Sequence, residues 1–178
     1  MNMKITLYIA PTLDGYIAGP NGEIDWLSVV EQPGEDYGYA QFYDSVDALV
    51  MGRKTYELAA SVADWPYPSK SSFVFTRQTL KTSHADVTFV SEPVETVMDN
   101  LRIQGFQHVW LVGGGELIRS FLDQGLIDEH IISFLPIILG AGIPLFPPPS
   151  AERKLKLISS KSYASGLIQA HYKSIATE

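Results

Sequence analysis

Apolar residues follow two alternating patterns along this chain. Short, nearly continuous apolar runs, such as residues 48–51, are typical of strands that are buried on both faces. Between these runs, apolar residues recur every three or four positions, as in residues 94–101, which is typical of helices with one buried face. The pattern predicts strands at residues 3–10, 48–51, 72–76, 87–90, 109–112 and 129–135, and helices at residues 35–46, 55–60, 93–104 and 116–124.

The C-terminal part departs from this alternation. Residues 155–163 and 167–174 flank the turn Ala164-Ser165-Gly166 and are predicted to form a hairpin. We therefore predict an α/β fold: a three-layer sandwich whose central, mostly parallel sheet has helices on both faces and a C-terminal antiparallel hairpin. The densest cluster of breakers, Pro147-Pro148-Pro149, separates a strand from this hairpin, so residues 1–178 are predicted to be a single domain.

Composition excludes several classes of protein. The chain has no cysteine, which excludes a disulfide framework, a thiolate metal site and a cysteine nucleophile. Its four histidines are far apart and no two are four residues apart, so we expect no metal site. A net charge of −7 argues against nucleic acid as a partner. No signal peptide and no apolar run of about 20 residues is present, so we expect no membrane contact and a cytoplasmic protein.

Positive charge is concentrated in one part of this acidic chain. Residues 1–50 contain Lys4 and eight carboxylates, a local net charge of 1 − 8 = −7. Residues 51–82 contain five basic and two acidic side chains, a local net charge of 5 − 2 = +3. The basic stretch is either an anion site or a solvated surface patch.

Two glycine-containing segments directly follow predicted buried strands, where open α/β sheets bind their ligands. Gly52, Arg53, Lys54 and Thr55 begin a helix, whose free N–H groups and added positive charge suit a phosphate. The alternative is a capped helix start with two solvated basic residues. The second segment has three successive glycines, which are costly unless the backbone needs a positive φ or a close approach to a ligand. It comprises Gly113, Gly114, Gly115, Glu116 and Leu117.

Two other segments are candidates for the same site. Thr76 and Arg77 end a predicted strand and could bracket the 2′-phosphate that distinguishes NADPH from NADH, or Arg77 could be an ordinary surface residue. The glycine-rich loop at residues 12–19 could be a lid that excludes water from a substrate, or a passive connection.

Carboxylates are the candidate proton donors. Asp36 lies at the start of the first predicted helix, where an acid is also favoured by the helix dipole alone. Asp14 could serve equally well as a turn residue. The tryptophans and tyrosines are interpreted first as core residues and pocket walls.

Taken together, these segments resemble the dihydrofolate-reductase-like superfamily. The tail at residues 134–146 further resembles the reductase domain of bifunctional riboflavin-biosynthesis deaminase-reductases and their free-standing bacterial relatives. The resemblance covers nearly the whole chain and rests on Leu13-Asp14-Gly15-Tyr16-Ile17-Ala18, Ile24-Asp25-Trp26, Val50-Met51-Gly52-Arg53-Lys54-Thr55-Tyr56-Glu57, Phe75-Thr76-Arg77, Leu111-Val112-Gly113-Gly114-Gly115-Glu116 and Phe134-Leu135-Pro136-Ile137-Ile138-Leu139-Gly140-Ala141-Gly142-Ile143-Pro144-Leu145-Phe146.

The resemblance implies that NADPH lies across the carboxyl edge of the sheet. The segments at residues 52–55 and 113–117 would hold its phosphates, with Thr76 and Arg77 near the 2′-phosphate. Gly113 and Gly114 would share a cis peptide bond. The nicotinamide would be lined by Ala10, Ile17 and Ala18.

The resemblance also bears on the proton donor and the reaction. Asp36 precedes Met51 by 51 − 36 = 15 positions, which matches the acid of dihydrofolate reductases. The implied function is an NADPH-dependent reductase that acts on a small heterocyclic or sugar-derived molecule, as 5-amino-6-(5-phosphoribosylamino)uracil reductase does. Asp36, Asp14 or a water would supply the proton. Alternatives are a dihydrofolate or pterin reductase and a non-catalytic nucleotide-binding module. A homodimer that pairs through the apolar residues 131–146 is also expected.

Overall fold

The central sheet has eight strands, most of them parallel. The structure, a computed structural model, describes residues 3–62 and 64–175. The strand order is β5-β4-β3-β6-β1-β7-β10-β9, and every pair from β5 to β7 is parallel. These strands are β1 (Lys4–Ile9), β3 (Ala48–Gly52), β4 (Ser71–Phe75), β5 (Val87–Val90), β6 (His108–Gly113), β7 (Glu129–Phe134), β9 (Leu155–Ser162) and β10 (Ile168–Ser174). A separate antiparallel pair joins β2 (Tyr16–Ala18) to β8 (Ile143–Pro144).

Helices cover both faces of the sheet. In β3, Ala48 and Val50 belong to one core cluster, while Leu49 and Met51 belong to another, as the alternation of side chains along a strand requires. The first cluster is covered by α3 (Val94–Ile103) and α4 (Gly115–Asp123), and the second by α1 (Tyr39–Ser45) and α2 (Arg53–Ala60).

This architecture confirms the predicted α/β sandwich with a mostly parallel sheet. The predicted C-terminal hairpin is also confirmed, since β10 runs antiparallel to both β7 and β9. The short pair β2–β8 and a 3₁₀ helix at Asp25–Val30 were not predicted, because strands of two or three residues and a six-residue 3₁₀ helix are too short to leave a periodic signal.

The prediction of a helix from residue 35 was wrong at its start. The helix begins at Tyr39, because Tyr37 and Gly38 have φ values of 57° and 81°, in the left-handed region that an α-helix cannot contain. Asp36 therefore lies before the helix and not on it.

The apolar residues 131–146 divide between the core and the surface. Ile132, Leu135 and Leu145 are at most 4% exposed, whereas Ile138 is 70% and Phe146 is 42% exposed. Exposed apolar side chains also lie on the edge strand β9, where Leu157 and Ile158 are each about half exposed, so pairing through either surface stays a prediction.

Candidate active site: a cleft at the carboxyl edge of the sheet

A cleft of about 1770 Å³ runs along the carboxyl ends of the parallel strands. The residues that follow β1, β3, β4 and β6 line it, as expected for the ligand site of an open α/β sheet. The structure thus brings together segments that lie up to about a hundred residues apart in sequence. All of the predicted cofactor residues except Gly113 line the cleft: Ala10, Ile17, Ala18, Gly52, Arg53, Lys54, Thr55, Thr76, Arg77, Gly114, Gly115, Glu116 and Leu117.

Two helix N-termini meet in this cleft. Gly52 precedes α2 and Gly114 precedes α4, and neither helix has a side-chain cap. The two turns approach each other closely, because a Cβ on Gly52 would lie 3.8 Å from the backbone nitrogen of Gly114. A Cβ on Gly114 would lie 3.5 Å from Oγ1 of Thr55. The cleft therefore presents two sets of backbone N–H groups without side-chain caps, together with the positive ends of two helix dipoles.

Each glycine of the turn after β6 has a distinct structural reason. Gly113 has a φ of 127°, which L side chains rarely adopt. The Gly113–Gly114 peptide is cis, as the family resemblance implied. A Cβ on Gly115 would lie 2.7 Å from the carbonyl oxygen of Pro144. The three glycines thus let the chain turn into α4 while the segment around Pro144 packs against it.

The basic side chains of the cleft differ in their pairing. Arg53 forms an ion pair with Glu57, with 2.6 Å between Nη1 and Oε1. Within the described part of the chain, Lys54 and Arg77 form no ion pair, although both line the cleft. Thr76 Oγ1, beside Arg77, accepts a hydrogen bond from Gln78 N at 3.0 Å. Lys54 and Arg77 are therefore the cations available to an anionic ligand.

The structure does not bring Asp14 into the lining of the cleft. The Asp14 carboxylate accepts hydrogen bonds from Thr12 Oγ1 at 2.6 Å, from Gly140 N at 2.7 Å and from Leu139 N at 3.2 Å. The bond from Thr12 and those from the two amides hold its pKa below the ordinary value. Asp14 thus connects the loop at residues 12–19 to the chain around Gly140 and fixes the position of that loop.

Asp36 also lies outside the lining of the cleft. Its exposed carboxylate accepts hydrogen bonds from Gly38 N at 2.9 Å and from Ala40 N at 3.0 Å. The two amides lower the pKa of Asp36, so it is ionised near neutral pH and serves the start of α1. The structure corresponds to the alternative interpretation of Asp36 as an acid at a helix N-terminus.

Aromatic side chains form the wall of the cleft beneath the ends of β1 and β6. The ring centroid of Trp110 lies 5.9 Å from that of Tyr39, 5.5 Å from that of Tyr67 and 6.0 Å from that of Tyr8. All four residues line the cleft. Burial raises the pKa of Tyr39 and of Tyr67, and it raises that of Tyr8 to about 12.

The sequence assigned these rings to core and pocket walls but did not single them out as a group. Tyr39 lies on the apolar side of the predicted first helix, whereas Tyr67 lies in a loop without periodicity. Their meeting at Trp110 depends on tertiary packing and has no sequence signal.

Within residues 3–62 and 64–175, no group of three or more His, Asp or Glu side chains could hold a metal ion. No helix in the same part of the chain has the length and apolar character needed to cross a membrane.

The chain is similar to several known proteins. It matches the family model of the RibD C-terminal domain over residues 3–169. It is 39% identical to the uncharacterized protein YwjB of Bacillus subtilis (strain 168), over 97% of this chain and 98% of that protein. A crystal structure from Shewanella sp. PV-4 has 35% identity and a TM-score of 0.90, over 98% of this chain and 100% of that one.

A likeness in fold extends to a bifunctional enzyme. The diaminohydroxyphosphoribosylaminopyrimidine deaminase/5-amino-6-(5-phosphoribosylamino)uracil reductase of Thermotoga maritima has a TM-score of 0.74 at 18% identity. The match covers 97% of this chain and 57% of that one.

Proposed function

Because this chain belongs to the RibD C-terminal domain family, whose members are reductase-like, we propose that it is an NADPH-dependent reductase. The observation that carries the proposal is the meeting of two helix N-termini without side-chain caps, with Lys54 and Arg77 at the same edge and in no ion pair among the described residues. A dinucleotide with a 2′-phosphate carries three phosphate groups, and this edge offers N–H groups and cations to all of them.

The described residues fit such a cofactor in an extended position along the cleft. Gly52 and Gly114 leave the backbone open to a pyrophosphate, and Thr55 adds a hydroxyl beside it. Arg77 follows β4, at the outer end of the cleft, where it would pair with the 2′-phosphate. Ala10, Ile17 and Ala18 would line the nicotinamide. When bound, the cofactor supplies a hydride, while the protein supplies position and an environment with little water.

A titration with NADPH and NADH tests this assignment. Binding is followed by energy transfer from tryptophan to the nicotinamide, since Trp110 lines the cleft. Hydrogen bonds to a charged group contribute about 1.5–3 kcal/mol, but Arg77 is exposed and the carboxylates of Glu92 and Glu95 line the same cleft. We therefore expect Arg77→Ala to weaken NADPH binding by only about tenfold, at the low end of that range, and to leave NADH binding unchanged.

Arg102→Ala is the matched control. Arg102 pairs with Asp99 and does not line the cleft, so this variant should bind NADPH as the wild type does. An equal loss of NADPH affinity in Arg77→Ala and in Arg102→Ala would contradict the assignment of Arg77 to the 2′-phosphate. Absence of binding of either cofactor at millimolar concentration would refute the reductase proposal.

The substrate proposed from the family is a small heterocyclic or sugar-derived molecule, such as a ribosylamino-pyrimidine. We favour this class over a pterin, because Asp36, which would bind a protonated pteridine, accepts backbone hydrogen bonds outside the cleft. A non-catalytic module would bind NADPH tightly and oxidise it with no member of either class.

A further inference from the structure

We infer that the substrate of this protein is a planar, uncharged heterocycle without a phosphate group, which lies against the part of the cleft lining formed by Tyr39, Tyr67 and Trp110. The inference rests on the proposed reductase function and goes beyond it in naming the substrate class. It departs from the phosphorylated substrate that the name of the bifunctional enzyme from Thermotoga maritima describes.

The aromatic wall is suited to a flat ring. Tyr8, Tyr39, Tyr67 and Trp110 line the cleft with ring centroids 5.5–6.3 Å apart where they contact one another. These rings pack against one another, and the faces and edges that they turn to the cleft can bind another π-system by stacking or by edge contacts. The indole N–H of Trp110 is already engaged, since it donates to the carbonyl oxygen of Tyr8 at 3.0 Å.

Two hydroxyls are available to the polar edge of the ring. Among the described residues, the hydroxyls of Tyr39 and Tyr67 have no hydrogen-bond partner, in contrast to that of Tyr43, which donates to Pro68 O at 2.8 Å. Burial raises the pKa of Tyr39 and Tyr67, so both hydroxyls stay protonated and can donate to a carbonyl oxygen or a ring nitrogen.

Charge is distributed unevenly along the cleft. Its basic side chains in the described residues are Arg53, Lys54 and Arg77, which follow β3 and β4. Arg77 follows a strand three positions from β1 in the sheet, a separation of about 14 Å at about 4.8 Å per strand. These cations serve the three cofactor phosphates, whereas the lining beneath β1 is aromatic and aliphatic.

Two further lysines make contacts outside the cleft. Lys70 donates to Val46 O, and its Nζ lies 5.2 Å from the ring centroid of Tyr43. Lys161 Nζ lies 4.3 Å from the ring centroid of Tyr163. Neither lines the cleft. A phosphate dianion at the aromatic end would therefore lose hydration without gaining a cation, which is unfavourable.

The reaction is a balanced two-electron reduction. A carbon of a C=N or C=O bond in the heterocycle or its side arm accepts the hydride, and the π-electron pair moves to the heteroatom. The heteroatom takes one proton from solvent, and the nicotinamide is oxidised. A hydrogen bond from Tyr39 or Tyr67 to the heteroatom would stabilise the charge that develops there.

A matched ligand pair tests the inference. The pair is 5-amino-6-ribosylaminouracil and its 5′-phosphate. Binding is measured by quenching of tryptophan fluorescence in the presence of saturating NADP⁺, with which no turnover occurs, and turnover is measured separately by the oxidation of NADPH. We expect the phosphate-free compound to bind at least about fivefold more tightly and to have the higher kcat/KM, because the 5′-phosphate of the other compound would be a dianion without a cation partner in the cleft.

The other outcomes overturn the inference. The inference is contradicted if the two dissociation constants differ by less than this factor, or if the phosphorylated compound is preferred. It is also contradicted if neither compound binds at millimolar concentration. None of the three by itself contradicts the proposed reductase function, which fails instead if NADPH does not bind or if no heterocyclic or sugar-derived compound oxidises it. If the phosphorylated compound is preferred and Lys161→Ala abolishes the preference, Lys161 rather than the cleft lining determines specificity.

Three variants locate the effect in the cleft. Tyr67→Phe should raise the KM of the phosphate-free compound by about fivefold, the loss expected for one hydrogen bond, with unchanged thermal stability and NADPH affinity. Tyr43→Phe removes a hydroxyl outside the cleft and should leave this KM unchanged. Asn21→Arg adds a cation to the lining at an exposed position and should shift the preference toward the phosphorylated compound by several-fold.

Discussion

A buried histidine makes the stability of this fold depend on pH. His130 lies in β7 between β1 and β10, and it is 1% exposed. Its Nδ1 has no hydrogen-bond partner in the described part of the chain. Burial lowers the pKa of His130 from 6.5 to about 4, so the native protein holds the neutral imidazole.

The sign and size of the effect follow from proton linkage. The unfolded chain takes up a proton as the pH falls below about 6.5, and the native chain does so only near pH 4. Since the unfolded state binds more protons between these values, acid destabilises the fold. Each unit of pKa shift corresponds to about 1.36 kcal/mol. Protonation of His130 should therefore lower the free energy of unfolding by about 2 kcal/mol between pH 7 and pH 5, and by about 3 kcal/mol once the histidine is protonated in both the native and the unfolded state.

We predict that His130→Leu abolishes this part of the pH dependence. The leucine fills a similar volume and does not titrate, so urea unfolding of the variant should lose about 2 kcal/mol less than the wild type between pH 7 and pH 5. His108, whose pKa burial also lowers, remains in both proteins and cancels in the comparison. His84→Gln is the control for removal of a less buried histidine.

Two results would refute this reasoning. One is an equal loss of stability in the wild type and in His130→Leu over the same pH range. The other is a native-state titration of His130, observed by NMR, with a pKa near 6.5.

Three further predictions follow from the packing around the cleft and the sheet edge. Gly115→Ala should cost about 1–3 kcal/mol in urea unfolding, because its Cβ would lie 2.7 Å from Pro144 O; a loss below about 0.5 kcal/mol contradicts this. Asp14→Asn should lower the protection factors for hydrogen exchange at the two amides that Asp14 binds, and in the wild type these factors, which already correct for slower intrinsic exchange in acid, should fall only as the pH falls through the lowered pKa of Asp14. We also propose a homodimer that pairs through β9, so Leu157→Lys with Ile158→Lys should give monomers in light scattering, and a monomeric wild type would exclude it.

The sequence predicted the elements of the sheet because their signals are local. Apolar runs such as residues 48–51 and 109–112 are buried on both faces in any parallel sheet, whatever lies beside them. The predicted cofactor segments at residues 52–55 and 113–117, apart from Gly113, line one cleft for a related reason, since each begins at the end of a parallel strand and parallel strands end at the same edge.

The proton-donor candidates show where sequence reasoning stopped. Counting back from Met51 placed Asp36 at the position of a known acid, but its side-chain direction depends on two left-handed residues, Tyr37 and Gly38. Asp14 is held by Gly140, whose proximity no local pattern reveals.

The sequence by itself therefore determined the fold class, the strand ends and the segments available for a cofactor. Only the tertiary structure decided which side chains face the cleft: it placed Tyr67 against Trp110 in the lining and left the candidate carboxylates of Asp14 and Asp36 outside it. The physical reason is that strand and helix periodicity follows from neighbouring residues. The direction of a loop side chain follows from backbone dihedrals and from contacts with distant parts of the chain.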